Sequence, residues 1–175
     1  ERMYNYPWMA QFFIEVYRVK GDAAYLVRAY RCLKRYYEKK GADFYAIGIP
    51  GTELYRALRS EGMKAEADQV RAFLAGHADR IRENGLHYPP HEVNYEQSIV
   101  APAVSILLQA YELTGEEAYL QEGMRHMNVL LLFNGRQPDY HLYETAIRHW
   151  DGYWFGKRRL YGDTFPHYWS TLTGV

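Results

Sequence analysis

Ten residues of this sequence occur twice, and that repetition limits the fold more than any other feature. Residues 17–26 read Tyr-Arg-Val-Lys-Gly-Asp-Ala-Ala-Tyr-Leu, and residues 111–120 read Tyr-Glu-Leu-Thr-Gly-Glu-Glu-Ala-Tyr-Leu. Tyr17, Gly21, Ala24, Tyr25 and Leu26 recur as Tyr111, Gly115, Ala118, Tyr119 and Leu120, all at an offset of 94. The glycines that close the copies, Gly41 and Gly135, keep the same offset. Each copy reads as a helical hairpin: an apolar helix, a glycine turn, then an amphipathic helix. Repetition of one supersecondary unit marks a stacked or closed array. A weaker copy turns at Ser60-Glu61-Gly62, and Leu172-Thr173-Gly174 echoes Leu113-Thr114-Gly115 near the end. The spacing therefore predicts three and a half hairpins, an incomplete array.

Periodicity predicts six helices within the array. Helix 1 covers about Pro7–Lys20, with proline suited to a first helical turn, and is apolar nearly all round. Helix 2 covers about Asp22–Lys40; Leu26, Tyr30, Leu33 and Tyr37 form a stripe and its other face is Arg and Lys. Helix 3 covers about Thr52–Glu61, with Thr52 as candidate N-cap. Helix 4 covers about Lys64–Asn84, turning Ala67, Val70, Leu74, His77 and Ile81 inward. Helix 5, about Ser98–Leu113, is the most apolar, and helix 6 covers about Glu116–Phe133. A further helix is expected from about Phe165. Helices 1, 3 and 5 read as wholly buried and helices 2, 4 and 6 as amphipathic and outward. An inner ring of helices inside an outer ring is an (α/α) toroid, and no strand-like alternation of useful length competes with it. The expected fold class is all-α, with residues 1–175 as one domain of antiparallel hairpins, incomplete as a toroid.

Charge excludes several classes of function. Basic and acidic residues balance at 21 each, so no basic stripe is expected, and nucleic acid is an unfavoured partner. No apolar run reaches membrane-spanning length. No signal peptide is visible, which leans towards the cytoplasm without fixing the compartment. Cys32 is the single cysteine, which rules out an internal disulfide and reads as a small buried thiol on a helix. Neither a metal nor a cofactor is expected. There is no His-Glu-x-x-His motif and no cysteine cluster, and His87 and His91 are separated by a Pro-Pro loop rather than a helix.

The tight turns join inner to outer helices, while the return connections, about 41–51, 85–97 and 134–164, are long. Long connections in compact domains are commonly functional, and these are too aromatic to read as disordered. Topology gathers them at the N-termini of the inner helices, where helix dipoles favour an anionic ligand. The third connection is the strongest site signal, since three of the four tryptophans lie in the stretch His149 to Trp169. Asp151, between Trp150 and Tyr153-Trp154, is placed for a raised pKa and general-acid work. Lys157 and Arg158 suit a substrate carboxylate, and Asp163 reads equally as an N-cap. The plain alternative is an aromatic lid that plugs the bundle. The second connection runs from His87 to Gln97 and holds Tyr88, His91, Glu92, Asn94, Tyr95 and Glu96. Glu92 or Glu96 would pair with Asp151 in a two-carboxylate site, although Glu96 also suits a first helical turn. Trp8, in Tyr4-Asn5-Tyr6-Pro7-Trp8, adds a stacking ring to the same rim.

On its Gly-x-x-Ala-Tyr-Leu turns at 21–26 and 115–120, and on acidic, aromatic loops before inner helices, the chain resembles the six-hairpin glycosidase superfamily. The resemblance implies an (α/α)6 toroid of roughly twice this length, with a substrate funnel at one end. The stretch His149 to Trp169 is similar to the sugar-binding loops of uronate-processing members. Such folds host hydrolases, lyases and epimerases. The leading expectation is a glycoside hydrolase acting on an anionic, uronate-containing oligosaccharide, with Asp151 as acid and Glu92 as base or nucleophile. Trp150, Trp154, Tyr153, Trp8, Tyr88, His91, Tyr95, His167 and Trp169 would line the sugar, with Lys157 or Arg158 on its carboxylate. A polysaccharide lyase is the alternative: Tyr153 or His149 takes the proton next to the carboxylate and Asn94 or Arg148 neutralises the developing charge. A non-catalytic helical-repeat module is the third reading.

Overall fold

The computed structural model describes residues 2–89, 91 and 97–133, with the backbone alone of residues 149–150 and 153–154. Six helices fill the first two stretches: α1 (Asn5–Lys20), α2 (Ala24–Glu38), α3 (Gly51–Ser60), α4 (Lys64–Asn84), α5 (Gln97–Thr114) and α6 (Glu117–Phe133). They pair as the hairpins α1–α2, α3–α4 and α5–α6, the helical-hairpin architecture of an (α/α) toroid. None of these helices is long and apolar enough to cross a membrane. A further helix from Phe165, and the turn at Gly174, lie outside the described residues.

The glycine turns are built alike. Gly21 and Gly115 stand at φ +68° and +72°, and each donates its N–H to the tyrosine four residues earlier, Tyr17 and Tyr111, at 2.7 Å. A left-handed residue here ends the helix and satisfies one of its last carbonyls, and glycine adopts it without a Cβ clash. Gly62 repeats the left-handed step at φ +75°.

The core centres on α4, which packs against α2, α3, α5 and α6. Its stripe of Ala67, Val70, Leu74, His77 and Ile81 is buried as the 3.6-residue period predicts. The stripe of α2 is shifted by comparison: Leu26, Ala29, Leu33 and Tyr36 are buried, while Tyr30 and Tyr37 are half-buried. Cys32 is also half-buried, and desolvation pushes its thiol pKa up.

Two local expectations are corrected. Thr52 does not cap α3, whose N-terminal residue is Gly51. The Gln109 side chain on α5 takes that role: its Oε1 accepts from the Thr52 N–H at 3.0 Å, and its Nε2 donates to the Ile49 carbonyl at 3.1 Å. One amide thus serves an orphan donor of α3 and ties α3 to α5. Nor are α1 and α3 wholly buried. On α3, Arg56, Arg59 and Ser60 are exposed. On α1, Trp8, Met9, Phe12 and Val19 are exposed, Phe12 by 55% and Val19 by 81%. At the same repeat offset, Met9 and Phe12 match Ala103 and Ile106 on α5, both buried. The difference is one of neighbours: α5 has α3, α4 and α6 around it, whereas α1 packs chiefly on α2.

A two-residue ladder, β1 (His149–Trp150) with β2 (Tyr153–Trp154), is the one strand pairing among the described residues. Its register sets His149 opposite Trp154 and Trp150 opposite Tyr153. The intervening residues are Asp151 and Gly152, a pair that two-residue hairpin turns favour.

Candidate functional site

Three segments distant in sequence meet at one end of the bundle: the start of α1, the connection between α2 and α3, and residues 86–91 after α4. Trp8, half exposed, donates its indole N–H to the Ile47 carbonyl at 3.2 Å. Tyr4 stands edge-on to Phe44, with ring centroids 6.2 Å apart. His91, exposed, donates from Nε2 to the Asp43 carbonyl at 2.7 Å and tilts against Phe44 at 5.1 Å. The Phe44 carbonyl in turn accepts the Tyr36 hydroxyl at 3.0 Å. Backbone carbonyls of residues 43–47 thus serve as acceptors for side chains from α1, α2 and the segment after α4. Such pairing holds an irregular connection in one shape.

Beneath this rim lies a second, buried layer. Tyr88 is only 4% exposed; its ring meets Tyr45 edge-on at 5.7 Å, and its hydroxyl lies 2.8 Å from Nδ1 of His126 on α6. The far nitrogen of His126 sits 3.3 Å from Glu122 Oε1 without hydrogen-bond alignment. Burial holds the His126 pKa below its ordinary value, against the opposing pull of the Glu122 carboxylate. Asn84, the last residue of α4, donates to the Tyr45 hydroxyl at 3.3 Å. Tyr88 therefore supports the rim from below.

Of the residues expected from sequence, the structure brings Trp8, Tyr88 and His91 together around the 41–49 connection. Glu92, Tyr95, Asp151, Lys157, Arg158, His167 and Trp169 lie outside the described residues, as do Asn94, Glu96, Arg148 and Asp163. Only backbone is described for His149, Trp150, Tyr153 and Trp154. Sequence reasoning missed Phe44, Tyr45, Asn84 and His126. A signal existed for His126: Tyr119, His126 and Leu130 recur at seven and then four residues along α6, and all three are buried.

Comparison with known proteins adds a chemical class. A solved structure named a polysaccharide lyase matches 99% of this chain at 53% sequence identity with a TM-score of 0.84. The match covers 26% of that protein's own chain, so the present chain spans about a quarter of its length. No family model and no curated protein matches. The helical-hairpin fold is thus shared with a carbohydrate-active protein, while the six-hairpin glycosidase superfamily itself is not among the matches. The expectation of a glycoside hydrolase is overturned: a protein 53% identical to this chain is named a lyase, and a lyase breaks its substrate by elimination rather than by adding water.

Proposed function

We propose that this chain serves a polysaccharide lyase that cleaves a uronate-containing, anionic chain by β-elimination. The observation that carries the reading is the 53% identity, over 99% of this chain, to a protein named a polysaccharide lyase. In the proposed step a base removes the proton from the ring carbon next to the uronate carboxylate. The released electron pair forms a ring double bond as the bond to the leaving sugar oxygen breaks, and that oxygen takes up a proton. Tyr153 or His149 is the proposed base, and Asn94 or Arg148 neutralises the charge gathering on the carboxylate. Trp8, Trp150 and Trp154 offer stacking faces, and Lys157 or Arg158 pairs with a carboxylate.

The ladder register sets the two candidate bases at positions on opposite faces. Successive positions in a strand alternate between faces, and cross-strand partners share one. Tyr153 shares a face position with Trp150, and His149 with Trp154. One of the two, with its tryptophan partner, is the base. The test uses the protein at its full natural length with polygalacturonate, alginate and hyaluronan. Near-ultraviolet absorbance and reducing ends should rise together in wild type. Tyr153→Phe or His149→Ala, whichever removes the base, should lower kcat at least a hundredfold. New reducing ends without absorbance would refute elimination.

A further inference from the structure

The exposed side of α2 departs from the charge balance of the chain. Between Ala24 and Lys40 stand six basic residues, Arg28, Arg31, Lys34, Arg35, Lys39 and Lys40, against the single acid Glu38. Arg28, Arg31, Lys34 and Arg35 share one face of α2 at helical spacing, and Lys39 and Lys40 follow directly past its end, so the six form one basic stripe. The Arg and Lys face read for this helix is thus a local excess within a neutral chain, and the absence of a basic stripe expected from the overall balance does not hold.

The contrast with α4 shows that this is more than an ordinary solvated face. Helix α4 carries four bases and four acids and pairs them along its length: Arg71 with Asp68 at 3.2 Å, Arg80 with Glu83 at 3.6 Å, and Arg82 with Asp79 at 3.3 Å. Within α2, Arg35 pairs with Glu38 at 3.4 Å. Two further cations rest on rings: Arg28 lies over Phe13 and Tyr25, and Lys39 lies over Tyr6. Arg31 and Lys40 are exposed and Lys34 half-exposed, with no ion pair among the described residues. Repulsion along such a stripe costs stability unless a partner compensates for it. From Arg28 to Lys39 the stripe runs about 16 Å at helical rise. It then leads into the 41–49 connection, where Trp8 and His91 make the rim.

We propose that this basic stripe of α2 is an auxiliary binding track for the anionic polysaccharide, feeding the chain towards the rim. The inference rests on the proposed elimination for the identity of the polymer, and takes from the structure the charge, its exposure and where it leads. A repeating uronate carries one carboxylate at each acidic sugar, so a long chain matches a linear row of cations better than any short fragment can. The contacts are exposed and ionic, so binding on the track weakens steeply with salt.

The test combines Arg31→Ala, Lys34→Ala and Lys40→Ala in the full-length protein, with the single reversal Arg31→Glu as a second variant. Fluorescein-labelled polygalacturonate, alginate and hyaluronan, and a trisaccharide of each, are titrated by anisotropy across sodium chloride concentrations, with turnover followed in parallel. For the long polymer that wild type binds best, the triple variant should bind on the order of tenfold more weakly at low salt, with a shallower logarithmic salt slope. The trisaccharide should bind both proteins alike. Unchanged polymer affinity and slope would overturn the track, as would salt-insensitive wild-type binding or preferential competition by duplex DNA. Polymer binding that needs the stripe but yields no unsaturated product would retain the track and reject elimination. Product formation with no loss in either variant would do the reverse.

Discussion

At Gly21 an added Cβ would touch nothing, yet the backbone stands at φ +68°, whereas at Gly51 it would run into the Leu74 side chain and come within 2.9 Å of Gln109 Oε1. The two glycines therefore answer to different substitutions. Gly21→Ala should cost about 1–2 kcal/mol through left-handed strain alone, and Gly21→Asn less, since asparagine tolerates that region. At Gly51 the order should invert, because the larger asparagine collides more, and alanine already costs about 1–3 kcal/mol by overpacking. Urea unfolding of the four variants checks both orders. His77 adds a dependence on pH. It is fully buried, beside the Tyr37 hydroxyl at 3.3 Å, and desolvation lowers its pKa from 6.5 to about 3, partly offset by the Phe44 backbone. Unfolded, the imidazole takes up its proton near 6.5; folded, it stays neutral down to about 3. Its contribution to stability is thus complete above pH 6.5 and is lost as pH falls towards 3. The slope approaches 1.4 kcal/mol per pH unit in that window. His77→Leu should flatten the acid limb of a stability–pH curve; an unchanged limb would count against this assignment.

Among the elements, the two copies of the repeat show how far a helix's neighbours decide what a residue does. Tyr25 and Tyr119 occupy the same position, but Tyr119 is buried against α4, with its hydroxyl donating to Asp79 Oδ1 at 3.0 Å. Burial, then the Asp79 carboxylate, pushes that phenol pKa up to about 12. Tyr25 is half-buried and stacks on Phe13. Tyr119→Phe should lower the melting temperature by about 3 °C, corresponding to roughly 1 kcal/mol, and Tyr25→Phe should leave it nearly unchanged. Tyr88→Phe, which leaves His126 Nδ1 buried without its partner, should cost about 1–3 kcal/mol by the same assay. The turn glycines and the inward stripe of α4 were legible in the sequence because both are local: one residue's φ and one helix's period. The cap on α3 was not legible. Its donor to Ile49 is Gln109, 60 residues away, and no local pattern announces a side chain arriving from another hairpin.

At the scale of the molecule, connectivity predicted that the long connections gather at one end; Trp8, Asp43–Ile47 and His91 do meet there, and the third connection lies outside the described residues apart from its short ladder. The pairing of Tyr88 with His126 was hidden because aromatic residues in a loop read as ligand-facing until burial is known. The cations of α2 were legible as the outer face of an amphipathic helix, but their lack of matching acids shows only when α2 is set beside α4. Asp151 drew attention for its aromatic sequence neighbours, yet Asp-Gly is equally a dipeptide that two-residue turns favour, and Asp151 itself lies outside the described residues. Within these 175 residues the first hairpin thus carries two unlike exposed surfaces, the apolar residues of α1 and the cations of α2. Excluded salts such as sulfate strengthen apolar association, while sodium chloride screens charge. Ammonium sulfate should therefore drive a polypeptide of these 175 residues alone to self-associate through Phe12 and Val19 at concentrations where its Phe12→Ser variant remains dispersed in light scattering. Sodium chloride over the same range should loosen whatever polyanion it carries, so the choice of salt during purification decides which of the two faces is engaged.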